Sequence, residues 1–370
     1  MKVLVNARFL LSQRLEGIGL HTYEILRRIT RDHPEDQFIF CFDRPYDEAF
    51  VFSANVTPII VRPPARHPLL FIWWFEVMIP RLYKKYGADL FYSPDGFIPL
   101  SKAVSKSVVV IHDLAYLHYP KQINWSERLY YQYFMPKFIA RAEQIITVSQ
   151  STRDDLISHF PNAAQKTTVI YNGVRKMATN DPEISKLPFE GKQYFVALGA
   201  IHPRKNIPNL LLAFEHFKKK SDSDALLVIV GRIAWKTKVI KSTLEKLQPK
   251  KDVKFVGYLS DQNLYQVLRH SIGLIYVSLF EGFGLPIVEA MQLGVPVITS
   301  NRSSMQEIAG DAAILVDPEH PGIIAQAMID LWSSPVLASD LKAKGHYRAK
   351  NFNWDVAAEA IYQRLIGLLS

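Results

Sequence analysis

The segment 278–292, SLFEGFGLPIVEAMQ, concentrates residue types that can do chemistry. Gly282 and Gly284 flank Phe283 and, having no Cβ, let the backbone come close to a ligand. Pro286 suits the start of a helix, where its missing N–H costs nothing. A glycine turn that runs into a helix N-terminus presents unpaired N–H groups, and these make a seat for a diphosphate. Glu281 and Glu289 bracket the turn. Three residues after Pro286, Glu289 is predicted in the first helical turn, where its carboxylate can accept from two vicinal ribose hydroxyls. Ahead of the loop, Glu281 would face a sugar. The plainer readings are a helix-dipole partner for Glu289 and a solvated loop charge for Glu281.

Three further groups stand just after apolar runs. Arg204 and Lys205 follow the run 194–198. A departing nucleoside diphosphate gains negative charge in the transition state, and fixed cations stabilise it; a solvated Arg-Lys pair is the alternative. His112 closes the run 107–112 and precedes Asp113. It is read either as a contact to a transferred sugar or as a satisfied structural histidine, with Asp113 orienting the loop. Gly17 and Gly19 lead into a helical pattern, where a backbone N–H can meet a phosphate. No Cys/His cluster and no H-E-x-x-H spacing suggests a metal, and Asp154-Asp155 read as surface charges on a helix. No side chain is an evident covalent nucleophile.

The elements that must hold these groups follow from periodicity. Strands are predicted at 2–6, 37–42, 56–61, 89–92, 107–112, 144–149, 167–171, 194–198, 225–230, 253–256, 273–277 and 296–299. Most are continuous apolar runs, as expected of parallel strands covered on both faces. Amphipathic patterns such as 19–30 and 206–218 lie between them. Strand and helix in alternation mean parallel α/β layers. The alternation breaks once, at 175–191, which holds Pro182, Pro188 and Gly191. This reads as a linker between Rossmann-like domains, the other reading being an exposed loop of one larger domain. Ligands of such sheets bind beyond the carboxyl ends of the strands, so two domains facing one another would make one central cleft. The segment 353–369 reads as a terminal amphipathic helix with Trp354 near its start.

Composition fits this picture. The chain has 370 residues, 48% apolar and 21% charged, which suits two globular domains. The net charge of +9 is spread, with 20 Lys and Arg against 16 Asp and Glu in residues 1–173 and 24 against 19 beyond. No basic run exceeds Lys218-Lys219-Lys220, so the field suits a diphosphate ligand and not a nucleic-acid face. Cys41 is the single cysteine, which fits a reducing compartment and a buried, inert thiol. The opening MKVLVNARFL is a strand pattern interrupted by Asn6 and Arg8, not a leader. The longest apolar stretch, 68–80, contains Glu76 and is too short for a membrane span. A cytoplasmic protein is expected. Aromatics crowd Trp73-Trp74-Phe75 and the region from Tyr116 to Phe138, including Trp125, Tyr130, Tyr131 and Tyr133. They read first as core, and second as a surface for sugars or lipid.

Taken together, Glu281, Gly282, Phe283, Gly284, Leu285, Pro286 and Glu289 resemble the E-x7-E signature of the retaining glycosyltransferases of family 4. The resemblance runs along nearly the whole chain. It takes in Gly17-Ile18-Gly19 with Tyr23, Ile111-His112-Asp113-Leu114 with Tyr119-Pro120, Ile146-Thr147-Val148-Ser149 and Tyr171-Asn172-Gly173-Val174. It continues through Pro203-Arg204-Lys205-Asn206, Asn301-Arg302-Ser303-Ser304 and Glu307. The nearest likeness is to bacterial mannosyltransferases of surface-polysaccharide assembly. It implies a GT-B fold: an N-terminal Rossmann-like acceptor domain at 1–173, a nucleotide-sugar domain at 174–352, and a helix at about 353–370 that packs back on the first.

The resemblance also implies catalytic roles for His112, Arg204, Lys205 and Glu281, and donor contacts from Gly17, Gly19, Gly282, Phe283, Gly284, Leu285 and Glu289. Many relatives have an arginine where this chain has Ala200, a charge that Arg204 would supply from next to the lysine. The implied reaction keeps the anomeric configuration, with the leaving phosphate itself taking the acceptor's proton. The implied partners are a nucleotide-sugar donor, GDP-mannose favoured and a UDP-sugar the alternative, and a glycan or lipid-linked acceptor. No metal or cofactor is expected, and peripheral contact at the inner membrane face would suit a lipid carrier. A nucleotide-sugar epimerase, a sugar phosphorylase and a non-catalytic sugar-nucleotide-binding subunit are the competing readings.

Overall fold

The computed structural model describes every residue except 13, 14, 16, 66, 176–188, 190, 233–237, 249 and 370. Most of the predicted linker therefore lies outside the described residues. The chain divides into two compact units, Met1–Gly173 with Asn353–Ser370, and Val174–Phe352.

The first unit is built on a seven-stranded sheet of β1 (Lys2–Asn6), β2 (Gln37–Phe42), β3 (Val56–Ile60), β4 (Leu90–Ser93), β5 (Ser107–Ile111), β6 (Gln144–Thr147) and β7 (Thr167–Val169). The order is β3-β2-β1-β4-β5-β6-β7, and all pairs are parallel. Val3, Leu4 and Val5 in β1 and Val108 to Ile111 in β5 are buried on both faces, which is why these strands read as unbroken apolar runs. The strand order reverses between β1 and β4, so loops leave these two strands in opposite directions and open a crevice beyond their carboxyl ends.

The helix Trp354–Ile366 belongs to this unit. It lies on helix Ile18–Asp32, pinned by Arg28 to Asp355 at 2.6 Å and by Tyr362 to Asp36 at 2.8 Å, with Tyr362 stacked on His33. Gly173 makes the approach feasible, because a Cβ there would lie 2.2 Å from the Trp354 backbone nitrogen.

The second unit has a six-stranded sheet of β8 (Tyr194–Leu198), β9 (Leu226–Val230), β10 (Val253–Gly257), β11 (Gly273–Tyr276), β12 (Val297–Ser300) and β13 (Ile314–Val316). The order β10-β9-β8-β11-β12-β13, all parallel, reverses between β8 and β11. Phe195, Phe214 and Phe217 anchor a core separate from that of the first unit, which centres on Trp74, Phe75, Phe91 and Phe138.

Two sequence expectations need correction. β13 has no counterpart among the predicted strands, because three residues of an edge strand carry too little pattern. The aromatics of 116–138 divide: Tyr130 and Phe138 are core, whereas Trp125 is 76% and Tyr133 60% exposed. Cys41 is buried, and its thiol is pushed well up by burial.

Candidate active site

In the second unit, both switch-point loops are shaped by contacts among themselves. β8 ends at Gly199, whose φ of +125° and missing Cβ leave room for the Lys205 stem; a Cβ would come within 3.1 Å of Lys205 Cε. The short turn Pro203–Lys205 is capped by His202, whose Nδ1 accepts from the Arg204 N–H at 3.3 Å. That role needs a neutral ring, and burial together with Arg204 and Lys205 lowers the His202 pKa. Asn206 then turns the chain at φ 58°. Its amide donates to the carbonyls of Val277, at 3.1 Å, and Pro318, at 2.6 Å. Leu279 N–H donates to the Arg204 carbonyl at 2.8 Å, so the β8 and β11 loops are tied directly.

The result is a fixed ammonium. Lys205 Nζ donates to Glu281 Oε1 and to Tyr276 Oη, both at 2.6 Å. An ammonium has three donors, and these contacts use two. Burial opposes both charges, but Glu281 holds the Lys205 pKa above its usual range. Lys205 and then Arg204 hold Glu281 below the usual carboxylate range. Both groups are therefore ionised at neutral pH.

The glycine turn is held by hydroxyls of the next loop. Ser303 Oγ accepts from Glu281 N–H at 3.1 Å, and Ser304 Oγ reaches the carbonyls of Glu281 and Phe283 at 2.8 and 2.9 Å. One strand further in, Thr299 and Ser300 donate to the carbonyls of Tyr276 and Ser278. Gly284, at φ +105°, precedes helix Leu285–Gln292, and the buried Phe283 packs edge-on against Phe352. Because this helix begins at Leu285, Glu289 is its fifth residue, in the second turn and not the first. Burial pushes the Glu289 carboxyl up to about 7; Arg175 opposes the shift and Asp261, itself ion-paired to Arg175, adds to it.

In the first unit, His112 stands at the end of β5. Its Nε2 lies 2.7 Å from the Pro94 carbonyl, which can only accept, so Nε2 carries the proton. Burial lowers its pKa, and Nδ1 of the neutral ring is left as an acceptor. Behind it His21 meets the ring edge-on at 4.9 Å, with Nδ1 held by Asn172 at 2.8 Å. Burial, then His112, pushes the His21 pKa down to about 3 against the Asn172 hydrogen bond, so this pair does not add charge. Asp113 accepts from Ala115 N–H at 2.9 Å and shapes the loop. Gly17, at φ 50°, precedes helix Ile18–Asp32 without a side-chain cap, and Gly19 lies in the first turn. The first N–H groups of that helix suit an anion.

The sequence reading did not single out Tyr276, Asn206, Ser303, Ser304, His21, Asn172 or Arg175 for these roles. It also passed over a grouping of His118, Asp155 and His159, whose ligand-capable atoms lie within 4.8 Å of one another. Asp155 accepts from His118 Nε2 at 2.9 Å and is thus a paired carboxylate.

Two doubly wound parallel sheets, each with polar loops at its switch point, define an α/β class whose ligands bind beyond the carboxyl ends of the strands. Comparison with known proteins gives the class its family. The family model described as glycosyl transferases group 1 matches residues 180–348, and that described as glycosyltransferase family 4 matches residues 15–176. The chain belongs to these glycosyltransferases. It is 27% identical over 300 residues to an O-antigen chain mannosyltransferase B of Escherichia coli, covering 78% of each chain. It is 27% identical over 311 residues to an O-antigen chain mannosyltransferase of Salmonella typhimurium, covering 82% of this chain and 84% of the relative. Among solved structures it is similar in fold to a sucrose-phosphate synthase of Thermosynechococcus elongatus, with TM-score 0.75, 18% identity and coverage of 100% and 98%. It is also similar to an Anabaena protein, HepE, solved with UDP and glucose, with TM-score 0.71, 17% identity and 98% of both chains covered.

Proposed function

We propose that this glycosyltransferase moves a hexose, mannose in preference, from a nucleoside-diphosphate sugar to a glycan or lipid-linked acceptor and keeps the anomeric configuration. The observation that carries the reading is Lys205: a partly buried ammonium at the switch point, ionised by Glu281, whose hydrogen bonds to described residues use two of its three N–H groups. The third is suited to a phosphate oxygen whose charge grows as the glycosidic bond breaks. Arg204, beside it, adds charge where Ala200 supplies none. The leaving phosphate takes the acceptor's proton, and the protein supplies position and field.

In this reading Gly282, Phe283, Gly284 and Leu285 present backbone to the donor, and Glu289 accepts from the ribose hydroxyls. Gly17 and Gly19 offer N–H groups to phosphate, and the acceptor nitrogen of His112 takes a hydrogen bond from a sugar hydroxyl. GDP-mannose is favoured because the relatives named above are mannosyltransferases; a UDP-sugar is the alternative. The reaction is proposed to need no metal. Among the described residues no helix is long and apolar enough to cross a membrane. Peripheral contact at an inner membrane face would use Trp125, Leu129 and Tyr133, exposed at successive turns of helix Trp125–Arg141. Trp125→Ser should then reduce co-sedimentation with phosphatidylglycerol vesicles severalfold, and unchanged co-sedimentation would remove that contact.

The test is a panel of GDP-, UDP-, ADP- and dTDP-sugars with EDTA present. Release of one nucleoside diphosphate, lost in Glu289→Ala, with the product's anomeric configuration read by NMR, supports the transferase. Sugar interconversion without nucleotide release would replace it with an epimerase.

A further inference from the structure

Among the described residues one set of three metal-ligating side chains converges: His118, Asp155 and His159, with ligand atoms within 4.8 Å of one another. His118 ends the short helix Ala115–His118, which follows the loop that starts at His112. Asp155 and His159 lie four residues apart on helix Gln150–His159, a spacing that puts both on one face. The Asp155 side chain is 16% exposed, and the two rings beside it are 36% and 39% exposed. The carboxylate is therefore set back between two rings that reach solvent, and an ion has a way in.

Both rings are aimed at that carboxylate. His118 Nε2 lies 2.9 Å from each Asp155 oxygen and donates to them. His159 Nδ1 lies 3.3 Å from Asp155 Oδ1 and 2.9 Å from the Asp155 backbone carbonyl, which can only accept, so Nδ1 carries the proton. Two imidazole nitrogens and a carboxylate oxygen are a ligand set for zinc. Ligand atoms about 2.0–2.1 Å from a tetrahedral zinc stand about 3.3–3.4 Å apart. The His159–Asp155 separation has that value, and the His118–Asp155 separation reaches it by opening roughly half an ångström. A neutral imidazole can take an ion at the nitrogen that holds its proton by shifting the proton to the other nitrogen. The dipole of a helix C-terminus accounts for a histidine at position 159. It does not account for His118, which comes from another element and faces the same carboxylate.

We propose that His118, Asp155 and His159 bind a divalent transition cation, zinc in preference, and that the ion staples the 112–118 loop to helix Gln150–His159. The loop is already fastened at its start, where Thr152 Oγ1 donates to the His112 carbonyl at 3.3 Å. The ion fastens its other end. Its role is structural: it stands outside the proposed donor contacts, and the proposal does not depend on the glycosyltransferase reading. Mg²⁺ and Ca²⁺ prefer oxygen ligands and do not suit two imidazoles.

The experiment uses the full chain without a histidine tag, stripped with EDTA, dialysed and titrated with Zn²⁺ by calorimetry. Wild type should bind one Zn²⁺ per chain. His118→Gln, His159→Gln and Asp155→Asn should each weaken binding about tenfold or more, with metal-free melting temperatures measured alongside to show that the fold is kept. His270 is the control, an exposed histidine whose Nδ1 also meets the carbonyl four residues back, at 2.9 Å. His270→Gln should leave Zn²⁺ binding unchanged. Zn²⁺ should slow amide hydrogen exchange at residues 113–118 in wild type and not in His159→Gln. Binding that is equal in wild type and in both folded histidine variants overturns the site. So does a loss as large in His270→Gln, an absence of saturable Zn²⁺ uptake by wild type, or equal uptake of Mg²⁺. Site-specific binding that leaves exchange at 113–118 unaltered overturns the staple.

Discussion

Lys205 and Glu281 each stabilise the other's charge, and this makes their roles in folding and in chemistry separable. In Lys205→Met the Glu281 carboxylate is left without its cation. The pair is partly exposed, at 19% and 14%, so the loss stays below the roughly 3–5 kcal/mol of a fully buried pair, and the thermal midpoint falls. Turnover should fall about 10²–10³-fold as well, the usual effect of losing a preorganised charge. In Lys205→Met/Glu281→Gln the buried charge is gone, so stability returns while turnover does not. If turnover returned with stability, Lys205 would be a brace and not a catalytic group. Glu289 gives a second separation, by pH. Its carboxyl is raised from 4.5 to about 7 in the folded chain, so the fold favours the protonated form. The stabilising contribution is therefore complete below about pH 4.5 and is lost as pH rises through 7. Affinity for a ribose diol should run the other way, because ionised Glu289 is the better acceptor. Calorimetry from pH 5.5 to 8.5 should thus show nucleotide affinity rising and melting temperature falling, with Glu289→Gln flattening both slopes. An affinity that falls over this range would dissociate Glu289 from the ribose. The glycine turn and the helix start after Glu281 were readable in the sequence because their signals are contiguous. Tyr276 reads as one more apolar strand residue, and His21 acquires its role only through Asn172, 151 positions away.

At the scale of elements, continuous apolar runs located twelve of the strands, because parallel strands buried on both faces write themselves as blocks of Val, Ile and Leu. Their ends were less legible. The run at 167–171 keeps its apolar character past Val169, but only Thr167–Val169 lie in the sheet, and Tyr171 is 39% exposed. The helix Leu285–Gln292 begins one residue before the proline that marks it, and this is enough to move Glu289 by a turn. The amphipathic pattern at the C-terminus announced a helix, but its seat depends on Gly173, which nothing local marks as a packing residue. A Cβ there would meet the backbone of Asn353 and Trp354 at 2.7 and 2.2 Å. Backbone cannot give way as a flexible side chain can. Gly173→Ala should therefore destabilise the chain by at least about 2 kcal/mol, a range reserved for overpacking and strain, and urea unfolding measures it. A midpoint within error of wild type would mean that the 353–370 segment shifts freely on its unit.

At the scale of the whole molecule, the chain passes twice between its units, at 173/174 and at 352/353, yet each unit closes its own hydrophobic core. A unit with its own core can unfold on its own. Scanning calorimetry should accordingly resolve two transitions. The residues proposed to hold the donor, Lys205, Glu281 and Glu289, all lie in residues 174–352, so on that proposal a nucleoside diphosphate should act on that unit's transition. A ligand at a hundredfold excess over its dissociation constant stabilises the state it binds by about 2.7 kcal/mol. GDP at that level should raise one transition by several degrees in wild type and leave it in place in Glu289→Ala. The net charge of +9 adds a second signature, because attraction of a diphosphate to a basic protein is screened by salt. The GDP shift should shrink between 50 and 500 mM salt, while the Glu289→Ala scan changes little. One cooperative transition would mean that the units unfold as a single body. A GDP shift that persisted in Glu289→Ala and did not respond to salt would place nucleotide binding away from the Glu281–Glu289 loop.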